Sequence, residues 1–299
     1  MEAVTGLLGR TLPDGGGNTF YNSASAGSPG VRGWIQADGG TLSIDQSARN
    51  PHGTADTAGL QGGFDVTAGT ARIGLALAYD YQWLHDRDGG KARENGVQVS
   101  LYGSQSLGPI GLSAVISYAH GSDLVNRATG IGQASATRSL NEYSGAVQLS
   151  APFRSGGVDV TPAAGVYVSD LTSNAFSETF APSAVFAVNG SAKGFTSVSP
   201  FINVGFSHAF VSSNGMTITP DVLVGYRYDA GAPGQDQTLV ASDGTVFAGN
   251  RVGLSRSTGI LGGSLTATEG GWTALIKYRA DIASGWLDQS VNVGARVAF

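Results

Sequence analysis

Period-two alternation of apolar and polar residues runs through most of this 299-residue chain and constrains its fold more than any other feature. At the C-terminus, Val291, Val293, Ala295, Val297 and Phe299 alternate with Ser290, Asn292, Gly294, Arg296 and Ala298. Successive side chains of a β-strand point to opposite faces, so this pattern predicts a strand with one apolar and one polar face. The same alternation surrounds Ile73, Val99, Tyr143, Val204 and Trp272. The sequence therefore predicts an all-β protein.

The composition favours a membrane as the solvent of the apolar faces. Charged residues make up 13% of the sequence and 46 residues are glycine, whereas a soluble domain carries about a quarter charged residues. No stretch approaches the ~20 consecutive apolar residues of a spanning helix. A closed β-barrel is the other structure that satisfies every backbone amide in lipid. We therefore predict a transmembrane barrel.

The alternation predicts about 12 strands in an antiparallel, up-and-down arrangement. Their predicted ranges are 31–38, 56–66, 70–83, 93–106, 110–119, 138–153, 157–170, 196–211, 215–229, 252–267, 271–283 and 289–299. Tight turns rich in Gly, Ser, Asn and Pro are predicted at 67–69, 107–109, 154–156, 212–214 and 268–270, and long polar loops at 85–92, 120–137, 171–195 and 230–251. Short periplasmic turns and longer extracellular loops are typical of outer-membrane barrels.

The chain divides into an N-terminal segment, 1–30, and a barrel domain, 31–299. Glu2 to Leu12 could form a short helix, which the three glycines after Asp14 would end. The segment is therefore interpreted either as a linker inside the lumen or as a disordered tail. The N-terminus lacks the basic and apolar regions of a secretory signal, although a barrel must be exported. We expect the chain to be a fragment of a longer protein.

Charged residues fall on the polar faces of the predicted strands. They are Asp65, Arg72, Asp80, Glu142, Asp159, Asp221, Arg227, Lys277, Arg279 and Arg296. Because a polar, water-filled lumen is general in outer-membrane barrels, we interpret them as lumen-facing groups that pair across the pore and hold the linker. The alternative is an acid–base constellation or a selectivity ring.

Aromatic residues near the strand ends form a second set, Tyr79, Tyr81, Trp83, Tyr118, Tyr226, Tyr228, Trp272 and Trp286. Aromatic girdles mark both membrane interfaces, and we assign these residues to them. The alternative is a sugar-binding platform.

The sequence offers little for catalysis, metals or nucleic acid. It has no cysteine, and His52, His85, His120 and His208 lie in separate segments without the i, i+4 spacing of a helical zinc motif. It also lacks a Gly-x-Ser-x-Gly elbow. The net charge of −5 comes without a basic run, which argues against a nucleic-acid partner. We expect no catalytic residue, no metal and no cofactor.

The last residues, 292–299, resemble the terminal signal that the barrel-assembly machinery reads in outer-membrane proteins. Asn292, Gly294, Val297 and Phe299 occupy its polar, glycine, apolar and terminal aromatic positions. The same stretch would also suit an ordinary strand.

The span 31–299 as a whole resembles the autotransporter β-domain family. Residues 62–66 and 72–79 are similar to its second and third strands, 99–104 to its fourth, and 161–167 with 176–178 to its seventh strand and the following loop. The resemblance implies an integral outer-membrane translocator, monomeric, that exports an N-terminal passenger and leaves a helical linker in the pore. The implied partners are outer-membrane lipid, the barrel-assembly machinery, periplasmic chaperones and the passenger itself, which would be missing from this chain. The adjacent Asn-Asn pair of self-cleaving members is not present, which puts autoproteolysis in doubt.

Three other functions stay open at this point. A passive pore or surface adhesin barrel would be indifferent to the residues before Val31. An outer-membrane enzyme would bring His, Asp or Ser together on its external loops. A soluble secreted adhesin would leave the apolar faces of nearly every strand unexplained.

Overall fold

Amphipathic strands can satisfy their backbone groups in lipid only by pairing on both edges, and they do so here. The computed structural model describes residues 30–45, 52–87, 89–129, 131–181, 187–231, 238–248 and 255–299. The barrel strands β1 to β12 are Gly30–Ile44, Gly53–Ala68, Ala71–Asp86, Lys91–Leu107, Ile110–Ala128, Gln133–Ser150, Val158–Ser173, Lys193–Ser207, Thr217–Tyr228, Ser257–Glu269, Trp272–Ala283 and Trp286–Ala298. Among these described residues, no helix is long and apolar enough to cross a membrane.

Each strand pairs antiparallel with its neighbours in the chain, and the ends of the sheet meet. The closing seam joins β1 to β12 over 13 residue pairs, from Arg32 opposite Ala298 to Ile44 opposite Trp286. The prediction of a closed antiparallel barrel of about 12 strands is thus confirmed.

Three of the turns at the end where β1 begins contain two residues each. Gly69, Gly108 and Gly270 adopt φ of +61°, +69° and +58° there, a conformation that glycine adopts without a steric penalty. The other two connections are longer, because Phe153–Ser155 folds back on β7 and Phe210–Val211 on β9. Since short turns are periplasmic in these barrels, this end faces the periplasm and the opposite end is extracellular.

The extracellular ends of the strands reach further than predicted. β5 and β6 stay paired as far as Ala128 opposite Gln133, and β3 and β4 as far as His85 opposite Lys91. The long loops predicted at 85–92 and 120–137 are therefore wrong, and the connections cover only 87–90 and 129–132. Beyond the membrane the outward face meets water, so the apolar alternation fades although the backbone pairing continues.

Two extracellular connections are long, 174–192 and 229–256, and they pair with each other. Their short strands form a four-stranded sheet in the order Val246–Ala248, Thr238–Ala241, Val188–Gly190 and Phe176–Ser177. Thr179–Ala181 pairs in addition with the upper end of β6. The two loops thus build an extracellular cap that is attached to the barrel wall.

The two faces of the wall differ as the alternation predicts. Outward Ile73 and Leu77 are 59% and 64% exposed, as lipid-facing residues of an isolated chain should be. Most inward positions are polar, small or aromatic and buried, and a few buried aliphatic side chains such as Leu223, Ile260 and Leu275 lie among them.

Candidate functional site: the lumen and the closing seam

A charge cluster lies at the periplasmic end of the lumen and spans the closing seam. It consists of Arg296 on β12, Arg32 on β1, Asp65 on β2 and Arg72 on β3. Asp65 is fully buried, and its Oδ1 lies 3.4 Å from Arg72 Nε and 3.9 Å from the nearest Arg32 nitrogen. Three guanidinium groups therefore share this wall with one carboxylate, which leaves an excess of positive charge among the described residues of the cluster.

An aromatic pair lies beside the cluster and bridges β1 to β4. Trp34 Nε1 donates to the Tyr102 hydroxyl oxygen at 2.8 Å, and that hydroxyl donates to Asp65 Oδ2 at 3.3 Å. Both rings lie over glycines. A Cβ on Gly74 would come within 2.5 Å of the Tyr102 hydroxyl, and one on Gly63 within 2.9 Å of the Trp34 ring. The bridge therefore depends on glycine at both positions.

The structure places all ten of the predicted lumen charges on inward-alternating positions, namely Asp65, Arg72, Asp80, Glu142, Asp159, Asp221, Arg227, Lys277, Arg279 and Arg296. Near the extracellular ends of β9 and β11, Asp281 lies 3.2 Å from Arg227 Nη2 and 2.6 Å from Arg279 Nε. In the middle of β6 and β7, Glu142 accepts from the Tyr167 hydroxyl at 3.3 Å. The ion pairs in the described part of the barrel run along the wall, between strands at most two positions apart.

Asp159 differs from the other nine residues. It lies near the periplasmic turn after β6, where its carboxylate is 3.7 Å from Arg154 and the side chains of Arg154 and Asp159 are 63% and 46% exposed. Its pairing belongs to that turn and not to the interior of the pore.

The aromatic bridge and the charges of the upper lumen were not predicted from the sequence. Trp34 and Tyr102 occur within predicted strands, but their contact joins residues 68 positions apart. Arg138 Nε donates to Asp123 Oδ2 at 3.0 Å, and Asp123 lies beyond the predicted end of β5. Because the apolar alternation fades past Ala119, the sequence contains no signal that β5 continues to Asp123.

The extracellular cap is fastened to the wall by a bidentate ion pair. Arg127, near the upper end of β5, donates from Nε and Nη2 to Glu178 at 2.9 and 2.6 Å. Glu178 also accepts from the Val188 backbone N–H at 3.0 Å. The hydrogen bonds from Arg127 to Glu178 raise the pKa of Arg127 above its ordinary value. This contact joins the β7–β8 loop, β5 and the four-stranded sheet.

The predicted interfacial aromatics divide into two groups. The first group lies at outward positions and consists of Tyr79, Tyr81, Trp83, Tyr118, Tyr226, Tyr228 and Trp272. Tyr79 and Tyr118 lie in the middle of β3 and β5, because these strands extend beyond their predicted ends. Trp286 points inward. It pairs with Ala283 and Ile44, and it lies six residues before the inward Asn292 on the same strand, so both side chains are on the same face. Its indole nitrogen is buried, so the girdle assignment is corrected for this residue. Outward Tyr143 and Tyr278 complete the set and were missed.

The four residues of the predicted terminal signal lie on both faces of β12. Asn292 and Gly294 point inward, and Asn292 Oδ1 accepts from Gln36 Nε2 across the seam at 2.6 Å. Val297 and Phe299 point outward. The Phe299 N–H donates to the Val31 carbonyl at 2.9 Å, while the side chain is 84% exposed.

The predicted N-terminal segment, 1–30, lies outside the described residues except for Gly30. Within the described ranges, no group of three or more His, Cys, Asp or Glu residues could hold a metal ion.

Comparison with known proteins places these features in a family. The autotransporter β-domain model matches residues 33–278, and no curated protein sequence matches the chain significantly. The translocator domain of the autotransporter NalP from Neisseria meningitidis has a similar fold, with a TM-score of 0.75, 14% identity, and coverage of 92% of this chain and 91% of that one. The β-domain of the Bordetella autotransporter BrkA gives a TM-score of 0.69, 16% identity, and coverage of 90% and 100%. The chain therefore belongs to the autotransporter β-domain family and is an integral outer-membrane translocator domain.

Proposed function

We propose that the barrel exports a passenger attached N-terminal to β1, and that the passenger crosses the membrane inside the lumen. The observation that carries this proposal is the direction of β1, which begins at Gly30 on the periplasmic end and runs outward. A chain that precedes Gly30 and ends at the cell surface has to pass from one end of the barrel to the other. The polar inward wall is the path that avoids lipid.

Surface display tests the proposal. A signal peptide and an epitope are fused ahead of Glu2, the protein is expressed in a Gram-negative host, and intact cells are treated with protease. We expect the epitope to be removed while a heat-modifiable barrel remains in the outer membrane. A folded barrel whose epitope stays protected would contradict export and favour the passive pore.

We further propose that residues 1–30 form a linker that is separate from the barrel domain 31–299 and lies within the lumen. The start of β1 at Gly30 supports this boundary. Deleting 2–29 should leave the heat-modifiable barrel intact and raise its single-channel conductance in a planar bilayer. Unchanged conductance would place the segment outside the pore.

Assembly is proposed to depend on Asn292, Gly294, Val297 and Phe299 as a signal for the barrel-assembly machinery, after delivery by periplasmic chaperones. The exposed Phe299 side chain separates this role from stability. Phe299→Leu should alter the unfolding midpoint of the purified barrel very little, because it keeps an apolar side chain toward the lipid and the backbone hydrogen bond to Val31. It should nevertheless lower the amount assembled in cells several-fold. Equal assembly of the variant and the wild type would contradict the signal.

The barrel is proposed to act as a monomer without a reaction of its own. The ion pairs around Asp65, Asp123 and Asp281 support the absence of a reaction, since these buried carboxylates are engaged with arginines. A hydrolytic activity that survives purification of the folded barrel and disappears on substitution of a lumen or loop residue would favour the enzyme alternative.

A further inference from the structure

We propose that the extracellular end of the β3–β4 hairpin binds the phosphate group of a lipid in the outer leaflet. The site consists of outward Lys91 and Arg93 on β4 with Tyr81 and Trp83 on β3, and we call it the hairpin patch. It extends the translocator function by assigning the barrel a specific lipid contact.

The hairpin patch is distinguished by its charge. Lys91 and Arg93 are both exposed and occupy successive outward positions of β4. Every other lysine or arginine within the twelve described barrel strands alternates inward. The positive charge on the outer surface of the strands is therefore concentrated on one hairpin and does not form a ring around the barrel.

Neither cation is neutralised within the described part of the chain, because neither Lys91 nor Arg93 forms a salt bridge there. Asp56 is the outward carboxylate in the same row. It lies opposite Trp83 on the side away from Arg93 and accepts from the Thr41 hydroxyl at 2.7 Å. Two strand spacings, about 9.5 Å, separate Asp56 from Arg93 in the sheet.

The aromatic side chains place the hairpin patch at the membrane interface. Trp83 pairs directly with Arg93, and the Tyr81 and Trp83 rings meet edge to face with centroids 4.6 Å apart. Tryptophan and tyrosine rings lie at the level of lipid headgroups, where one edge is apolar and the other wet. The cations lie beside or just above this level.

The height of the cations along the barrel agrees with this position. The outward residues of β4 from Leu107 to Val97 are apolar or glycine except for Gln105. About ten residues at ~3.4 Å each, tilted by about 45°, span about 24 Å, close to the ~25 Å apolar band of outer-membrane barrels. By the same estimate, the backbone of Arg93 lies about 10 Å above the apolar band. Its long side chain can bend toward the membrane and bring the guanidinium to a headgroup phosphate.

The chemistry selects a phosphorylated lipid. A guanidinium donates two parallel hydrogen bonds to phosphate, and a neighbouring ammonium adds a point charge. The apolar surface beside them would contact acyl chains that belong to the same molecule. Free phosphate would form the hydrogen bonds to the two cations but would lack the acyl chains that contact the apolar surface.

Native mass spectrometry of the folded full chain in detergent tests the proposal with purified bisphosphorylated lipid A as the probe. We expect one lipid A to stay bound to the wild type and to bind about 30-fold more weakly to K91Q/R93Q, since each basic side chain near an anionic lipid surface changes affinity roughly fivefold. The matched control R154Q/R256Q removes the same charge from exposed positions outside the hairpin patch and should bind like the wild type. Gel heat-modifiability confirms that each variant is folded.

Three outcomes would overturn the proposal. Equal losses in K91Q/R93Q and in the control would indicate attraction by net charge alone. Equal binding of lipid A and its fully dephosphorylated form would exclude the phosphate. Displacement of lipid A by millimolar inorganic phosphate would show that the hairpin patch recognises the free anion without its lipid.

Discussion

Replacing Gly74 by alanine should destabilise the barrel by removing the aromatic bridge of the lower lumen. The added Cβ would lie 2.5 Å from the Tyr102 hydroxyl and closer still to the ring, so the ring has to move. The displacement breaks the hydrogen bond from Trp34 Nε1 and the bond to Asp65. It also disrupts the edge contact of the two rings, whose centroids are 6.4 Å apart.

The expected size follows from these contacts. Overpacking a filled site costs about 1 to 3 kcal/mol, and each lost hydrogen bond costs about 1 kcal/mol. Alanine regains about 0.5 to 1 kcal/mol over glycine in a strand through the lower entropy of its unfolded chain. The net loss should be about 3 kcal/mol, or about 1.5 M in the urea midpoint for a slope near 2 kcal/mol per M.

Unfolding in lipid vesicles, followed by tryptophan fluorescence and by gel mobility, measures this loss. Gly263→Ala is the control, because that glycine faces outward and its Cβ would lie 3.8 Å from the nearest atom. Gly263→Ala should not lower the midpoint. The same Gly74 substitution made in a Tyr102→Ala background should cost almost nothing, since the clashing ring is gone. A penalty of equal size in both backgrounds would refute the steric argument.

Two further predictions concern the extracellular cap. Glu178→Gln should speed amide hydrogen exchange in 176–181 and 188–190 about tenfold, because it removes the negative charge that holds Arg127. A hydrogen bond to a charged group contributes about 1.5 kcal/mol or more, which corresponds to this factor. Unchanged exchange would show that strand pairing alone fixes the loop. The Thr245 backbone N–H donates to the Asp243 carboxylate at 2.9 Å, which lowers the pKa of Asp243. That bond should therefore persist below the ordinary aspartate pKa and be lost only as the pH falls through the lowered value, and a Thr245 amide shift that titrates at or above the ordinary value would contradict it.

The strands of the barrel could be predicted because lipid acts on single residues. Each outward position within the membrane has to be apolar, as Val97, Val99 and Leu101 are, and this requirement is visible in the sequence without knowledge of any partner. Above the membrane the requirement for apolar outward residues ends. The outward residues Gly39, Thr41 and Ser43 carry β1 on to Ile44 without an apolar residue, so the predicted strand stopped at Asp38.

The contacts inside the lumen could not be predicted for a different reason. Alternation tells which face a side chain occupies, but register decides which inward side chains meet. Asp123 and Arg138 are brought together by the β5–β6 register. Trp286 shows the opposite error, because its residue type suggested a girdle position while its phase along β12 places it inward.

The aromatic bridge and the charge cluster bear on how the seam stays closed. The β1–β12 seam is the one pairing in the barrel made by strands from opposite ends of the chain, so no turn holds its two strands together. Trp34 and Arg32 tie β1 to β4 and β2 through side chains, which fixes the inward face of β1 independently of β12. A lumen that has to let a polypeptide pass would gain from keeping such contacts on the wall and not across the pore. The ion pairs of the described residues have this arrangement, which orders the inward face of β1 and still leaves a path through the lumen.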